Sequence, residues 1–159
     1  MALTLPDELI VILTAMTPVG ELRASVPLAI LNYDQSWIVA FCLSVIGNLI
    51  PIPIILYGLR VGGARLERQQ GLLGKMLRWR TSRVEKVWGL RIRRYGFFGI
   101  VLVVAIPLPF TGAWTGALTV WALHQPAWRG LTAIGVGVVI AGSIVTALTV
   151  AGVELIKLG

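Results

Sequence analysis

The sequence is poor in the residues that most enzymes and small secreted domains rely on. It holds one cysteine, Cys42, and one histidine, His124, in 159 residues. A single cysteine cannot build a disulfide framework or a thiolate metal site within one chain; inside an apolar run, Cys42 reads as a small buried hydrophobe. His124, in "ALHQPAW", has no acid or nucleophile beside it, so it reads as a polar turn residue before Pro126 rather than as a general base. No cluster of His, Cys and carboxylates has metal-ligand spacing. The expectation is no enzyme, no catalytic residue, no metal and no cofactor.

Charge is scarce as well. Charged residues make up 13% of the chain, about half of what a soluble domain carries. Acidic residues number 7 against 14 Lys and Arg. In their place stand long apolar runs, "SWIVAFCLSVIGNLIPIPIILYG" (36–58) and "GLTAIGVGVVIAGSIVTALTVAGV" (130–153), each meeting the roughly 20 residues that a membrane-spanning helix needs. Neither run alternates strictly as a barrel strand would. The chain therefore reads as an all-helical integral membrane protein. Its start, acidic at Asp7 and Glu8 with no base, does not read as a cleaved secretory signal.

The bases are concentrated. Eleven of the 14 lie from Arg60 to Arg94, and by the positive-inside rule that loop is cytoplasmic, in an inner or plasma membrane of bacterial type, with both termini outside. "RWR" (78–80) resembles a nucleic-acid contact, but topology alone accounts for the charge and no nucleic acid is expected. The loop also suits an amphipathic helix on anionic lipid, with Leu72, Leu73, Met76, Leu77, Trp79, Val84, Val87 and Trp88 as apolar contacts. Arg78, Arg80, Arg83, Arg91, Arg93 and Arg94 would then meet headgroups. Trp37, Trp114, Trp121 and Trp128 fall near segment ends, where indoles anchor.

Two further apolar stretches are broken by proline. Residues 6–31 meet Pro18, Gly20 and Pro27, and residues 96–123 meet Pro107, Pro109 and Gly112. Proline removes an intrahelical donor and clashes with the preceding turn, and broken backbone is tolerated at membrane depth only where protein or a wet cavity covers it. Broken segments at matching places in two halves point to an inverted repeat. The expected single membrane domain thus has a first repeat at 6–59, with a re-entrant hairpin at about 6–31 and a span at 36–59. The basic loop 60–94 follows. The second repeat, 95–156, has a hairpin at about 96–123 and a span at 129–156. The rival topology makes the broken segments full kinked spans.

The first hairpin carries the chemistry. "TPVGELRASVPLAI" (17–30) places Glu21 and Arg23 two residues apart in an apolar setting, and intramembrane charges mark a pathway or pair with a partner. Glu21 would lie in the first turn of the returning half-helix, and a mutual ion pair needs the unwinding that Pro18, Gly20 and Pro27 supply. Either the two neutralise each other and pin the tip, or Arg23 holds an anion while Glu21 balances it or carries a proton. The second tip, "IPLPFTGAWTG" (106–116), offers free carbonyls, the Thr111 and Thr115 hydroxyls and close approach at Gly112 and Gly116. Candidate binding residues are Pro18, Glu21, Arg23, Ser25, Pro27, Pro107, Pro109, Thr111, Gly112 and Thr115. Small residues at Ala133, Gly137 and Ala141, and again at Ser143, Ala147 and Ala151, suit close helix packing and a homodimer.

"PVGELRASVPLAI" (18–30) with "RRYGFFGIVLVVAIPLPFTGAWTGAL" (93–118) resembles the small multidrug export protein family over nearly the whole chain, which implies drug efflux. More distantly, "RASVP" (23–27) and "PLPFTG" (107–112) are similar to motifs of the DedA superfamily. That likeness implies re-entrant hairpins and movement of lipid phosphates. The motifs stand in reverse order, and Phe110 and Thr111 occupy the DedA places of a glycine and a proton-carrying glutamate, so only Arg23 carries over and Glu21 would supply any proton. The expected function is a translocase of a lipid phosphate or amphiphilic anion at a midplane site. The alternatives are an exporter of cationic drugs, a passive channel, and a scaffold whose basic loop binds lipid.

Overall fold

The computed structural model describes residues 5–68, 71–72, 74–76, 78–79, 81–83, 86, 95–106 and 111–158. Among these there is no strand. The helices are α1 (Asp7–Met16), α2 (Glu21–Pro27), α3 (Trp37–Leu49), α4 (Pro51–Arg68), α5 (Phe97–Ala105), α6 (Ala113–Ala122) and α7 (Ala127–Leu158). A π-helical turn, Leu28–Asn32, continues α2. Pro27 thus does not break the chain a second time, as its sequence position suggested. It sits as the last residue of α2, and the widened turn accommodates the ring and the donor it lacks.

Two helical stretches are long and apolar enough to cross a membrane, Trp37–Gly63 and Ala127–Lys157. Only 28% and 39% of their most apolar windows are buried. A soluble core helix would hide such a surface, whereas these present it outward, as a lipid-facing helix does. Ile38, Ile46, Ile54, Val136 and Ile140 are all exposed. Cys42 is exposed too, which corrects the expectation of a buried hydrophobe: the α3 face it occupies turns away from the chain.

The chain divides into two compact units, residues 1–51 with 138–159, and residues 52–137. In the first unit α1 packs on α2 and α3, and α2 packs on α3. Val11, Ala29 and Ala40 form a core against Ile30, Tyr33 and Leu43. Gly47 brings α3 onto α1, because a Cβ there would stand 2.7 Å from the Ile12 carbonyl oxygen and 2.9 Å from the Ala15 Cβ. Gly142 of α7 lies against Phe41 and Val45.

In the second unit α5 packs on α6. Val104 of α5 nests against Gly116 of α6 and Gly137 of α7, while Gly130 receives Val120. Trp121 covers Gly63. The small-residue pattern on α7 therefore divides: Ala133, Gly137 and Ala141 are buried within the chain, and Ser143, Ala147 and Ala151 are exposed.

The close approach at Gly47 sets a stability prediction. Gly47→Ala should destabilise the protein by about 1–3 kcal/mol through overpacking against backbone. Gly58→Ala, with nothing within 4 Å of the new methyl, should be neutral or up to about 1 kcal/mol stabilising. Thermal unfolding of the two variants in one detergent checks the contrast.

Candidate functional site

The first break is closed by a threonine. The Thr17 hydroxyl donates to the Thr14 carbonyl at 2.8 Å and accepts from the Gly20 amide at 2.9 Å, while the Glu21 amide donates to the Thr17 carbonyl at 3.2 Å. The chain then re-enters the helix at Glu21 with φ 43°, a left-handed conformation that few non-glycine residues hold. The unwinding thus falls before the pair, and Glu21 and Arg23 stand two residues apart within α2. Glu21 is 6% exposed. Arg23 is half-buried, within electrostatic reach of the Glu21 carboxylate. Ser25 is fully buried and donates to the Glu21 carbonyl at 2.9 Å. Pro18 is exposed and Pro27 half-buried.

The second break repeats the device. The Thr111 hydroxyl donates to the Ile106 carbonyl at 2.6 Å, and Gly112, buried with φ 124°, re-enters the helix where its amide-bearing turn bonds Gly116 to the Gly112 carbonyl at 2.8 Å. Thr115 is buried. Pro107 and Pro109 lie outside the described residues. The returning segments also end alike. Asp34 and His124 both have positive φ, and α3 and α7 each begin three residues later, at Trp37 and Ala127. At His124 the Gln125 amide reaches the Val120 carbonyl and the His124 amide the Trp121 carbonyl, the bond pair of a Schellman cap. That explains the lone histidine as an exposed turn residue. The Gln125 carbonyl in turn accepts from Arg60 at 2.9 Å.

In the basic segment, Arg83 stands over the Trp79 ring at 5.3 Å and Arg78 is half-buried. Arg80, Arg91, Arg93 and Arg94 lie outside the described residues. No group of three or more His, Cys, Asp and Glu among the described residues is placed to hold a metal ion.

Sequence reasoning missed several buried polar atoms. Gln35 Oε1, Ser44 Oγ, Asn48 Oδ1, Thr119 Oγ1 and Thr146 Oγ1 are buried with no hydrogen-bond partner. Ser44 and Asn48 stand out because both lie on α3, one turn apart, at 0% and 1% exposure. Their signal was a pair of polar residues at helical spacing in "SVIGNLIPIP" (44–53), inside a run otherwise read for its hydropathy.

The sequence pattern of the family described as "Putative small multi-drug export protein" matches residues 21–144. The chain belongs to this family. The match starts at Glu21, at the re-entry just past the first break, and takes in the second break whole. No curated protein and no solved structure matches the chain, so the likeness to the DedA superfamily gains no support from comparison. Family and apolar helices together make this a membrane protein of an export family.

The left-handed backbone at Glu21 gives a test of its own. Glycine holds that conformation without the cost of about 1–2 kcal/mol that a side chain incurs. Glu21→Gly should therefore unfold at a higher temperature than Glu21→Ala, although glycine is the weaker helix former. The reverse order in a thermal scan would place Glu21 in ordinary helix.

Proposed function

We propose that this protein exports amphiphilic organic cations, with Glu21 as the acidic group that receives the cation or exchanges it for a proton. The observation that carries this reading is the buried carboxylate of Glu21, held at a left-handed position at a break in an apolar helical hairpin. The second unit has glycine at its corresponding break, Gly112. A charge inside a membrane is expensive, by about 2.5–3.5 kcal/mol on insertion scales, and strained backbone adds to that cost and gathers at functional sites. Arg23 lies close enough to lower the expense, and it leaves a carboxylate that a competing cation can claim.

Of the alternatives, export of a cation agrees with the family's description. Translocation of a lipid phosphate would make Arg23 the binding group and is the second arm of the test. The topology that goes with the proposal keeps the two broken segments as re-entrant hairpins, the basic loop on the cytoplasmic side and both termini outside. It also includes a homodimer through the exposed Ser143, Ala147 and Ala151 strip. Ala147→Cys in a Cys42→Ser background should form a disulfide-linked dimer in native membranes. A monomer only, after oxidation, would remove the dimer from the proposal.

Transport in proteoliposomes decides the function. A fluorescent lipophilic cation should accumulate under a pH gradient with the wild type. Glu21→Gln should slow it by at least about tenfold, the equivalent of 1.4 kcal/mol. If a fluorescent phospholipid phosphate moves instead and Arg23→Ala stops it, translocation of anionic lipid replaces cation export. Movement of the dye only down its own gradient would indicate a channel.

A further inference from the structure

We infer that Ser44 and Asn48 of α3, together with Glu21 and Ser25 of α2, form a binding site for a monovalent alkali cation that couples to export. The inference rests on the export reading for its purpose, while its geometry stands apart from it.

The register of the first unit brings these residues to one level. Gly47 of α3 meets Ile12 and Ala15 of α1, and Val11, a turn earlier on α1, shares a core with Ala40, about two turns earlier on α3. The two helices therefore run in the same direction. After the break, α2 packs back along α1 and along α3, so it runs opposite to α3. Ala29, which follows α2, shares the core with Ala40. Stepping back four residues along α2 and forward four along α3 gives Ser25 and Ser44. A further four give Glu21 and Asn48. At 1.5 Å per residue on both helices the levels stay matched.

All four side chains are buried, at 6% exposure for Glu21, 0% for Ser25, 0% for Ser44 and 1% for Asn48. The Ser44 hydroxyl and the Asn48 carbonyl oxygen have no hydrogen-bond partner, and a buried oxygen left without one carries its full desolvation cost. On α3 they occupy the strip between Gly47, which touches α1, and Phe41 and Val45, which touch α7. Two prolines add further acceptors. Pro51 has no amide hydrogen for the Gly47 carbonyl, and Pro53 has none for the Leu49 carbonyl. Interrupted helices offer such carbonyls to coupling ions in transporters.

The donor set is oxygen throughout, and it suits a hard cation. It carries one carboxylate, which Arg23 partly balances. That is too little charge for calcium or magnesium, which draw on several carboxylates or phosphates. A monovalent cation fits both the number and the charge of the ligands.

The experiment uses the full chain in nanodiscs. Thermal unfolding is followed in sodium, lithium, potassium and choline chlorides at equal ionic strength, and radioactive sodium binding is measured beside it. One of the alkali ions should raise the melting temperature saturably over choline, as a ligand that binds only the folded state must. Asn48→Leu should weaken that ion by at least about tenfold, and Asn48→Asp should keep or tighten it. The second variant guards against simple misfolding of the first. Equal melting temperatures in all four salts would overturn the site and leave the orphan oxygens to structural water, as would a full ion response in Asn48→Leu. Cation binding without dye export would keep the site and remove the export reading. Dye export undiminished in choline alone would keep the export reading and overturn the coupling.

Discussion

Within a bilayer no water is at hand to satisfy the backbone, so a helix that breaks there must find partners for its freed amides and carbonyls inside the protein. Both described breaks answer this in the same way. A threonine hydroxyl, from Thr17 in one and Thr111 in the other, takes up a carbonyl from the end of the incoming helix. Thr17 also caps the Gly20 amide. The left-handed residue that follows turns the chain into the next helix. The glycines at 47, 116 and 137 let neighbouring helices come close, and the valines and alanines of the cores fill the space that remains.

The positions of the breaks were legible in the sequence because proline and glycine act on the backbone locally and independently of context. So were the apolar spans, whose length is set by the bilayer. The fate of single side chains was less so. Pro27 reads as a second break, but a π-helical turn absorbs it, and that depends on α2 packing against α1 and α3. Cys42 reads as buried because its run is apolar, yet in lipid an apolar run has an outside that is as apolar as its inside. Hydropathy therefore cannot say which face turns inward. Ser44 and Asn48 were hidden for the same reason: averaged over the run they vanish, and only the packing of α3 shows that both lie on its buried side.

The candidate site shows the same division. Glu21 and Arg23 stood out because charge in an apolar run is conspicuous, and the spacing of two showed that regular helix could not join them. Which of the two would be the more buried was not legible. It follows from the face of α2 that packs on α1 and α3, which carries Glu21, Leu22, Ser25 and Val26, while Arg23 lies at its flank nearer the surface.

The two breaks differ in one chemical respect, and that difference carries the functional argument. If the closure were only architectural, glycine would serve at both left-handed positions, as it does at Gly112, with neither steric cost nor buried charge. At Glu21 the chain accepts both costs together, and the register inferred for α2 and α3 brings the partnerless oxygens of Ser44 and Asn48 to its level. A structural ion pair explains the charge of Arg23 but does not account for the Ser44 and Asn48 oxygens, which make no hydrogen bond to it or to any other group. A mobile cation accounts for both, because the carboxylate supplies the charge and the neutral oxygens replace the water that the ion leaves behind.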